Sequence, residues 1–446
     1  MIFRKILLPL PFISKNKPKY SSGKKLGVIV LFFATFTVAK LCVFGAPLLL
    51  SNLLNLEIYG TIEFALSLGA YLGIVFNYGT NASFPHLVIK RSKQGFIGAF
   101  YLHPILLSMI FLLLIFNIYC DRLSLSQSLP ILIALGLSLQ QFYSTILKSF
   151  SKPIFAVLLD SGLFIILTIL CLCIYFKICY FSTLLMYLFI GGYLLLLFLI
   201  SYLNFFRSKL SLKELFKKYQ IILQFGLPTI LSSFLVMTLT ASGRVITEIF
   251  LPTSYVGIYS FYFRIAAIVV MLYQVVNILF FKKIYLSNSD ELDKYISIFL
   301  FVILLLGVVC RILVPLLFYE HFSILKESYN ENQNVYTYFV FQMVFWVSMT
   351  LNETFTYREN LSKTVNTYFI YIVLCYSVAI FTIDLFHTVS LIWIVITQTI
   401  CLYLATECQF RVFKLESGIR FPKTRLVNFV TLLFLILSFL YSNILV

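Results

Sequence analysis

Long apolar runs alternate with short polar gaps over almost the whole chain, which predicts helices that cross a bilayer. A crossing needs about 20 mostly apolar residues. Thirteen stretches qualify, near 26–50, 58–78, 96–119, 129–148, 154–176, 180–205, 225–247, 256–281, 295–319, 335–353, 366–386, 389–408 and 427–445. The gaps are short, so no soluble domain is expected. The loops orient the chain. Of its 34 Lys and Arg residues, 27 fall in every second gap, while Arg122, Lys177 and Lys326 fall in the gaps between. Basic loops stay in the cytoplasm, so the N-terminus is expected inside and the C-terminus outside. One helix more or fewer in the middle would scramble this alternation, so the charges independently support the count.

The expected fold is an all-α polytopic membrane protein with 12–14 transmembrane helices, best counted as thirteen. It comprises a cytoplasmic arm (1–25), an N-lobe of six helices (26–206), a basic cytoplasmic linker (207–224), a C-lobe of six helices (225–408), and a loop with one further helix (409–446). The linker carries Lys209, Lys213, Lys217 and Lys218 among Leu210, Leu212, Leu215 and Phe216. That spacing suits an amphipathic helix on the membrane surface and equally a solvated basic linker. The halves echo each other. Tyr59-Gly60-Thr61-Ile62 opens the second helix and Val256-Gly257-Ile258-Tyr259 the eighth, 197 residues apart. Two halves in one orientation imply a pseudo-twofold along the membrane normal and a central cavity.

Composition removes the soluble alternatives. Charged residues are 11% and hydrophobic ones 61%, against about 25% charged in soluble domains. A net charge of +17 would point to nucleic acid in a polar protein. Here the cations flank membrane segments, so anionic headgroups are the expected partners and nucleic acid is not. Arg4 and Lys5 before a short apolar run resemble a signal peptide, but Pro9 and Pro11 interrupt that run and five lysines follow it. The nine cysteines have no metal or redox spacing and read as packing residues. His86, His103, His321 and His387 form no ligand set, and neither metal nor cofactor is expected.

Four cations break the loop pattern: Lys40, Arg244, Arg264 and Arg311 lie inside apolar segments. Each costs roughly 2.5–3.5 kcal/mol at a helix centre on insertion scales, so a water-filled cationic cavity is the economical place for them. Lys40 falls about 15 Å below the outer end of its helix at 1.5 Å per residue. Phosphate suits such donors, which makes Lys40, Arg244, Arg264 and Arg311 the expected substrate-binding set. A competing arrangement pairs Lys40 with Glu63 and Arg244 with Glu248, and lets Arg311 snorkel outward. Glu63 and Asp160 are the expected proton or sodium carriers; for Asp160 the alternative is a solvated helix end near Lys152. Gly45-Ala46-Pro47, Pro228 and Pro315 mark expected hinges.

Several stretches resemble one family. Tyr255-Val256-Gly257-Ile258-Tyr259-Ser260 with Phe263-Arg264-Ile265-Ala266, Phe225-Gly226-Leu227-Pro228, Glu57-Ile58-Tyr59-Gly60 and Asn77-Tyr78-Gly79-Thr80-Asn81 are similar to motifs of Wzx-type polysaccharide flippases. These belong to the multidrug/oligosaccharidyl-lipid/polysaccharide exporter superfamily. The family often carries Asp-Arg in its seventh helix, where this chain has Gly243-Arg244, so a paired-charge role does not carry over. The resemblance implies a non-enzymatic flippase in the bacterial inner membrane. Its cargo would be an undecaprenyl-pyrophosphate-linked oligosaccharide such as an O-antigen, capsule or exopolysaccharide unit. It also implies coupling to H+ or Na+ and other polysaccharide-assembly proteins as partners. A membrane polymerase of the same pathway would need a sizeable outer loop, and the longest expected, near 320–334, is short. A drug antiporter of the same superfamily would favour carboxylates over this cationic surplus.

Overall fold

The computed structural model describes residues 22–84, 87–88, 94–150, 152–207, 211–273, 276, 289–359, 361–386 and 389–444. Most of the predicted arm, together with His86 and His387, lies outside them. The helices are α1 (Ser22–Leu53), α2 (Leu56–Asn77), α3 (Thr80–Phe84), α4 (Ile97–Phe100), α5 (Leu102–Tyr119), α6 (Leu125–Ser149), α7 (Pro153–Asp160), α8 (Gly162–Tyr175) and α9 (Thr183–Phe206). The chain continues with α10 (Leu212–Ala241), α11 (Gly243–Phe250), α12 (Thr253–Ala267), α13 (Ser289–Phe318), α14 (Ser323–Arg358), α15 (Ser362–Phe386), α16 (Leu391–Ser417) and α17 (Pro422–Ile444).

Over the described residues the predicted spans overlap helices or bent helix pairs, and the eighth, 256–281, lies partly outside the described residues. Among the described residues nine helices are long and apolar enough to cross a membrane, and two bent pairs, α7–α8 and α10–α11, bring the number to eleven. The remaining two predicted spans correspond to α12, described over 15 residues, and α14, 36 residues long. Burial explains why α14 falls short on hydropathy. Its stretch from Val335 to Asn352 is almost entirely buried, and it accommodates Gln342, Ser348 and Asn352 there. The outside of the protein is inverted relative to a soluble one. Leu316 is 75% exposed while Glu63, Gln342 and Gln398 are 0% exposed, an arrangement that only a hydrocarbon solvent favours. The chain is an all-helical polytopic membrane protein.

The described chain packs as two compact units. One comprises Met1–Leu53 with Ala65–Leu231, the other Leu54–Phe64 with Ser232–Val446. In the first, α1 lies along α7 and α8, and α6 packs on α7 and α9. The basic linker is helical from Leu212 and continues without interruption into the predicted seventh span. Its Leu215, Tyr219 and Ile222 are buried while Phe216 and Lys217 are exposed, so it is amphipathic. His103 of α5 holds it. Nε2 donates to the Phe76 carbonyl at 2.7 Å, which leaves Nδ1 to accept from the Tyr219 hydroxyl at 2.8 Å. In the second unit α14 is central, flanked by α12, α13, α16 and α17.

The helices run unbroken through the predicted hinge positions. α1 passes through Pro47 and α13 through Pro315 without a break, and α10 is continuous across position 228. The sharp bends lie at Ser161-Gly162, 63°, and at Ser242-Gly243, 62°. Ser–Gly pairs kink helices as prolines do, and here each glycine makes room for a tyrosine. A Cβ on Gly162 would collide with the Tyr193 hydroxyl, and one on Gly243 with that of Tyr259. Both bends carry a charge, Asp160 just before the first and Arg244 just after the second.

Candidate functional site

In the second unit the start of α2 crosses α12 at very short range, and glycine sets that distance. A Cβ on Gly60 would strike the Thr253 carbonyl oxygen, while one on Gly257 would lie 2.9 Å from the Leu56 carbonyl oxygen. The contact is reciprocal: Thr253 follows Leu56, and Gly257 follows Gly60, by the same 197 residues. The sequence echo is thus a twofold crossing in space.

Just past this crossing, α2 presents Glu63 and α12 presents Arg264. Arg264 donates from Nε to Glu63 Oε1 at 2.6 Å and from Nη2 to Oε2 at 2.9 Å, the bidentate fork for which arginine is suited. Arg244, carried in by the α10–α11 bend, adds a second cation. Its Nε lies 3.6 Å from Glu63 Oε2, and its guanidinium carbon lies 4.7 Å from the centre of the Phe263 ring. Phe263 is held by stacking on Tyr259 and Trp346. Tyr259 in turn donates to Gln398 Oε1 at 2.8 Å, filling the space that a side chain at position 243 would need. Tyr59, fully buried one turn before Glu63, adds its dipole to the cluster.

The two arginines are not equivalent. Arg264 spends its fork on Glu63, whereas Arg244 makes no hydrogen bond among the described residues and its buried Nε is unpartnered. One carboxylate therefore serves two guanidinium groups, and the cluster holds one uncompensated positive charge beside free donors.

Lys40 lies in the first unit, and its partner is Asp160, with Nζ 3.8 Å from Oδ2. Lys148 stands 3.8 Å from the other oxygen, and Phe36 places its ring 5.7 Å from the lysine nitrogen. Lys148 is in the last turn of α6, so Lys40 sits near the end of the bundle that carries the basic loops. α1 has 32 residues, about 48 Å at 1.5 Å per residue, so distance from one end does not measure depth. Asp160, at the α7–α8 bend, is a third exposed.

Arg311 belongs to neither cluster: it is bonded to Thr337 and Tyr329 on α14. Glu248 accepts from Thr253 Oγ1 at 3.1 Å. The anticipated pairings Lys40–Glu63 and Arg244–Glu248 do not form. Sequence reasoning did not select Tyr59, Phe263, Lys148, Tyr329 or Thr337. Lys148 was hidden among the loop cations, while Tyr329, Tyr336 and Thr337, spaced seven and eight apart, were legible as one face of a helix. No group of three or more His, Cys, Asp or Glu residues able to hold a metal occurs among the described residues.

No protein-family model and no curated protein matches the sequence. Among solved structures, the eukaryotic MATE transporter AtDTX14 aligns with 90% of this chain and 100% of its own at 12% identity, with a TM-score of 0.42. A likeness of that degree carries no weight for the site, which rests on its own geometry.

Proposed function

We propose that this chain is a Wzx-type flippase. It would carry an undecaprenyl-pyrophosphate-linked oligosaccharide from the cytoplasmic to the outer leaflet of the bacterial inner membrane by alternating access, performing no chemistry on it. The observation that carries the reading is Arg244. It is a buried guanidinium at a helix bend, fixed by Glu63 and Phe263 yet with its hydrogen-bond donors unspent. Retaining such donors is unfavourable unless an anion takes them up, and a pyrophosphate is bound by Arg forks. Arg264 acts through Glu63 as the anchor that holds the carboxylate in place. Lys40 supplies a second cation, and Asp160, partly open to solvent beside it, is the residue for coupling to H+ or Na+. The N-terminus faces the cytoplasm, as the basic loops require.

Two observations argue against the alternatives. The segment from Ser323 onward, most of the longest outer loop expected from the sequence, is wound into α14, which leaves that stretch no loop for a polymerase to use. The intramembrane cations outnumber Glu63 and Asp160, the reverse of what a cationic drug would select. The test is Arg244→Gln in a strain whose own copy is deleted. Surface glycan should be lost, with lipid-linked oligosaccharide trapped on the cytoplasmic side while the protein inserts at its normal level. Full glycan display in that variant would overturn the reading, and single repeat units accumulating on the outer face would favour the polymerase.

A further inference from the structure

Arg311 sits on α13, seven residues before the helix ends at Phe318, with lipid-facing Val308, Ile312 and Leu316 exposed around it. Its Nε donates to Thr337 Oγ1 at 2.8 Å and its Nη1 donates to the Tyr329 hydroxyl. The guanidinium carbon lies 5.4 and 5.6 Å from the ring centres of Tyr329 and Tyr336. Tyr336 is fixed by donating to the Cys310 carbonyl at 3.1 Å, and Thr337 gives its proton to the Gln333 carbonyl at 2.9 Å. Every one of these partners is neutral. Among the described residues no carboxylate lies within ion-pair distance of Arg311, unlike Lys40, Arg244 and Arg264, which each have one.

The accounting of donors sets the ligand. A guanidinium has five N–H groups, and two are used, so three remain. The Tyr329 oxygen accepts from Arg311, and among the described residues its own proton is given to no acceptor. Three Arg311 N–H groups and the Tyr329 O–H are therefore left unspent beside the exposed Val308, Ile312 and Leu316, with one positive charge unbalanced. At 1.5 Å per residue the Arg311 backbone lies roughly 10 Å from the helix end, a depth that a lipid headgroup and an arginine side chain can span between them.

We propose that Arg311 and Tyr329 clamp the phosphodiester of a glycerophospholipid, in the leaflet that faces the turn between α13 and α14. A lipid supplies both the anion for the four donors and the chains for the apolar border. The assignment removes Arg311 from the cargo-binding set and holds whatever the cargo is.

The experiment measures lipid carried through purification. The full-length protein in a neutral maltoside detergent is loaded with phosphatidylglycerol and the retained lipid counted by native mass spectrometry, for the parent and for R311Q, Y329F and G191A. Retention should fall at least tenfold in R311Q, fall by a smaller factor in Y329F, and be unchanged in G191A, whose added methyl meets nothing within 4 Å. Equal retention in R311Q and the parent overturns the site. If R311Q does not fold, Y329F decides, because it removes one hydroxyl and leaves the fold's apolar contacts intact. Competition identifies the source of the phosphate. Inorganic phosphate at millimolar concentration should leave retention unchanged, and its displacing the lipid would overturn the lipid assignment. Undecaprenyl pyrophosphate displacing phosphatidylglycerol from the parent would overturn it in favour of a cargo site.

Discussion

Glu63 is expected to be the residue on which the second unit's stability turns most sharply, and Glu63→Gln tests it. The carboxylate is fully buried, takes two hydrogen bonds from Arg264 and stands 3.6 Å from Arg244. Neutralising it leaves two buried guanidinium groups facing a single amide. Breaking a buried pair by removing one partner costs about 3–5 kcal/mol. A Coulomb estimate at about 3 Å and an effective dielectric of about 20 gives a similar figure, near 5 kcal/mol. Arg264→Gln removes the fork instead, but Arg244 remains to balance the carboxylate, so this loss is expected to be smaller by at least about 1 kcal/mol. The triple replacement Glu63→Leu, Arg244→Met and Arg264→Met removes every charge and is expected to recover most of the loss, since buried ion pairs exchanged for apolar residues are often neutral. Equilibrium unfolding of the purified protein in mixed SDS–maltoside micelles ranks the three. The reasoning is refuted if Arg264→Gln destabilises as much as Glu63→Gln, or if the triple variant is the least stable.

The other expectations can be checked on the same preparations. Gly60→Ala drives a methyl into the Thr253 carbonyl and should destabilise by about 1–3 kcal/mol or more. Gly191→Ala in α9, whose Cβ meets nothing within 4 Å, should be neutral or stabilising by about 0.5–1 kcal/mol. Asp293 caps the start of α17, accepting from the Lys423 and Thr424 amides and the Thr424 hydroxyl. Asp293→Ala should therefore lose about 1–2 kcal/mol and speed proteolysis at the α16–α17 turn. Lys40→Ala should change stability by no more than about 1 kcal/mol, because Asp160 is partly exposed and keeps Lys148. Its effect is expected in transport, read as surface glycan.

The fold was legible because a membrane makes its demands locally. Each crossing must satisfy its own backbone within one helix, so a run of apolar residues predicts an element without knowledge of its neighbours. The basic gaps then fixed the number of runs. α14 shows the limit of that reasoning. Its polar residues lower its hydropathy, but they are buried against α16 and α17, where Asn428 donates to Ser348 Oγ at 2.8 Å and Gln409 to the Met349 carbonyl at 3.3 Å. The two sharp bends escaped the sequence for a related reason. A proline announces a missing donor, whereas the bends at Ser161-Gly162 and Ser242-Gly243 depend on which side chain arrives from another helix, Tyr193 or Tyr259.

The site was legible as a list and not as pairs. That Lys40, Glu63, Asp160, Arg244, Arg264 and Arg311 needed reasons to be in hydrocarbon followed from their chemistry alone. Which carboxylate met which cation depended on a crossing formed by Gly60 and Gly257, 197 residues apart. Gly243-Arg244 illustrates the consequence. Read along the chain, the arginine has no adjacent acid and its charge seems stranded. In space its acid is Glu63, already claimed by Arg264. An adjacent carboxylate at position 243 would have neutralised Arg244 outright, but Tyr259 and Gln398 occupy that space. Two guanidinium groups sharing one carboxylate hold Arg244 in place without using its donors. That division, one arginine as anchor and one as receptor, is what an anion site inside a membrane requires: the receptor must be fixed before the ligand arrives and still have hydrogen bonds left to give it.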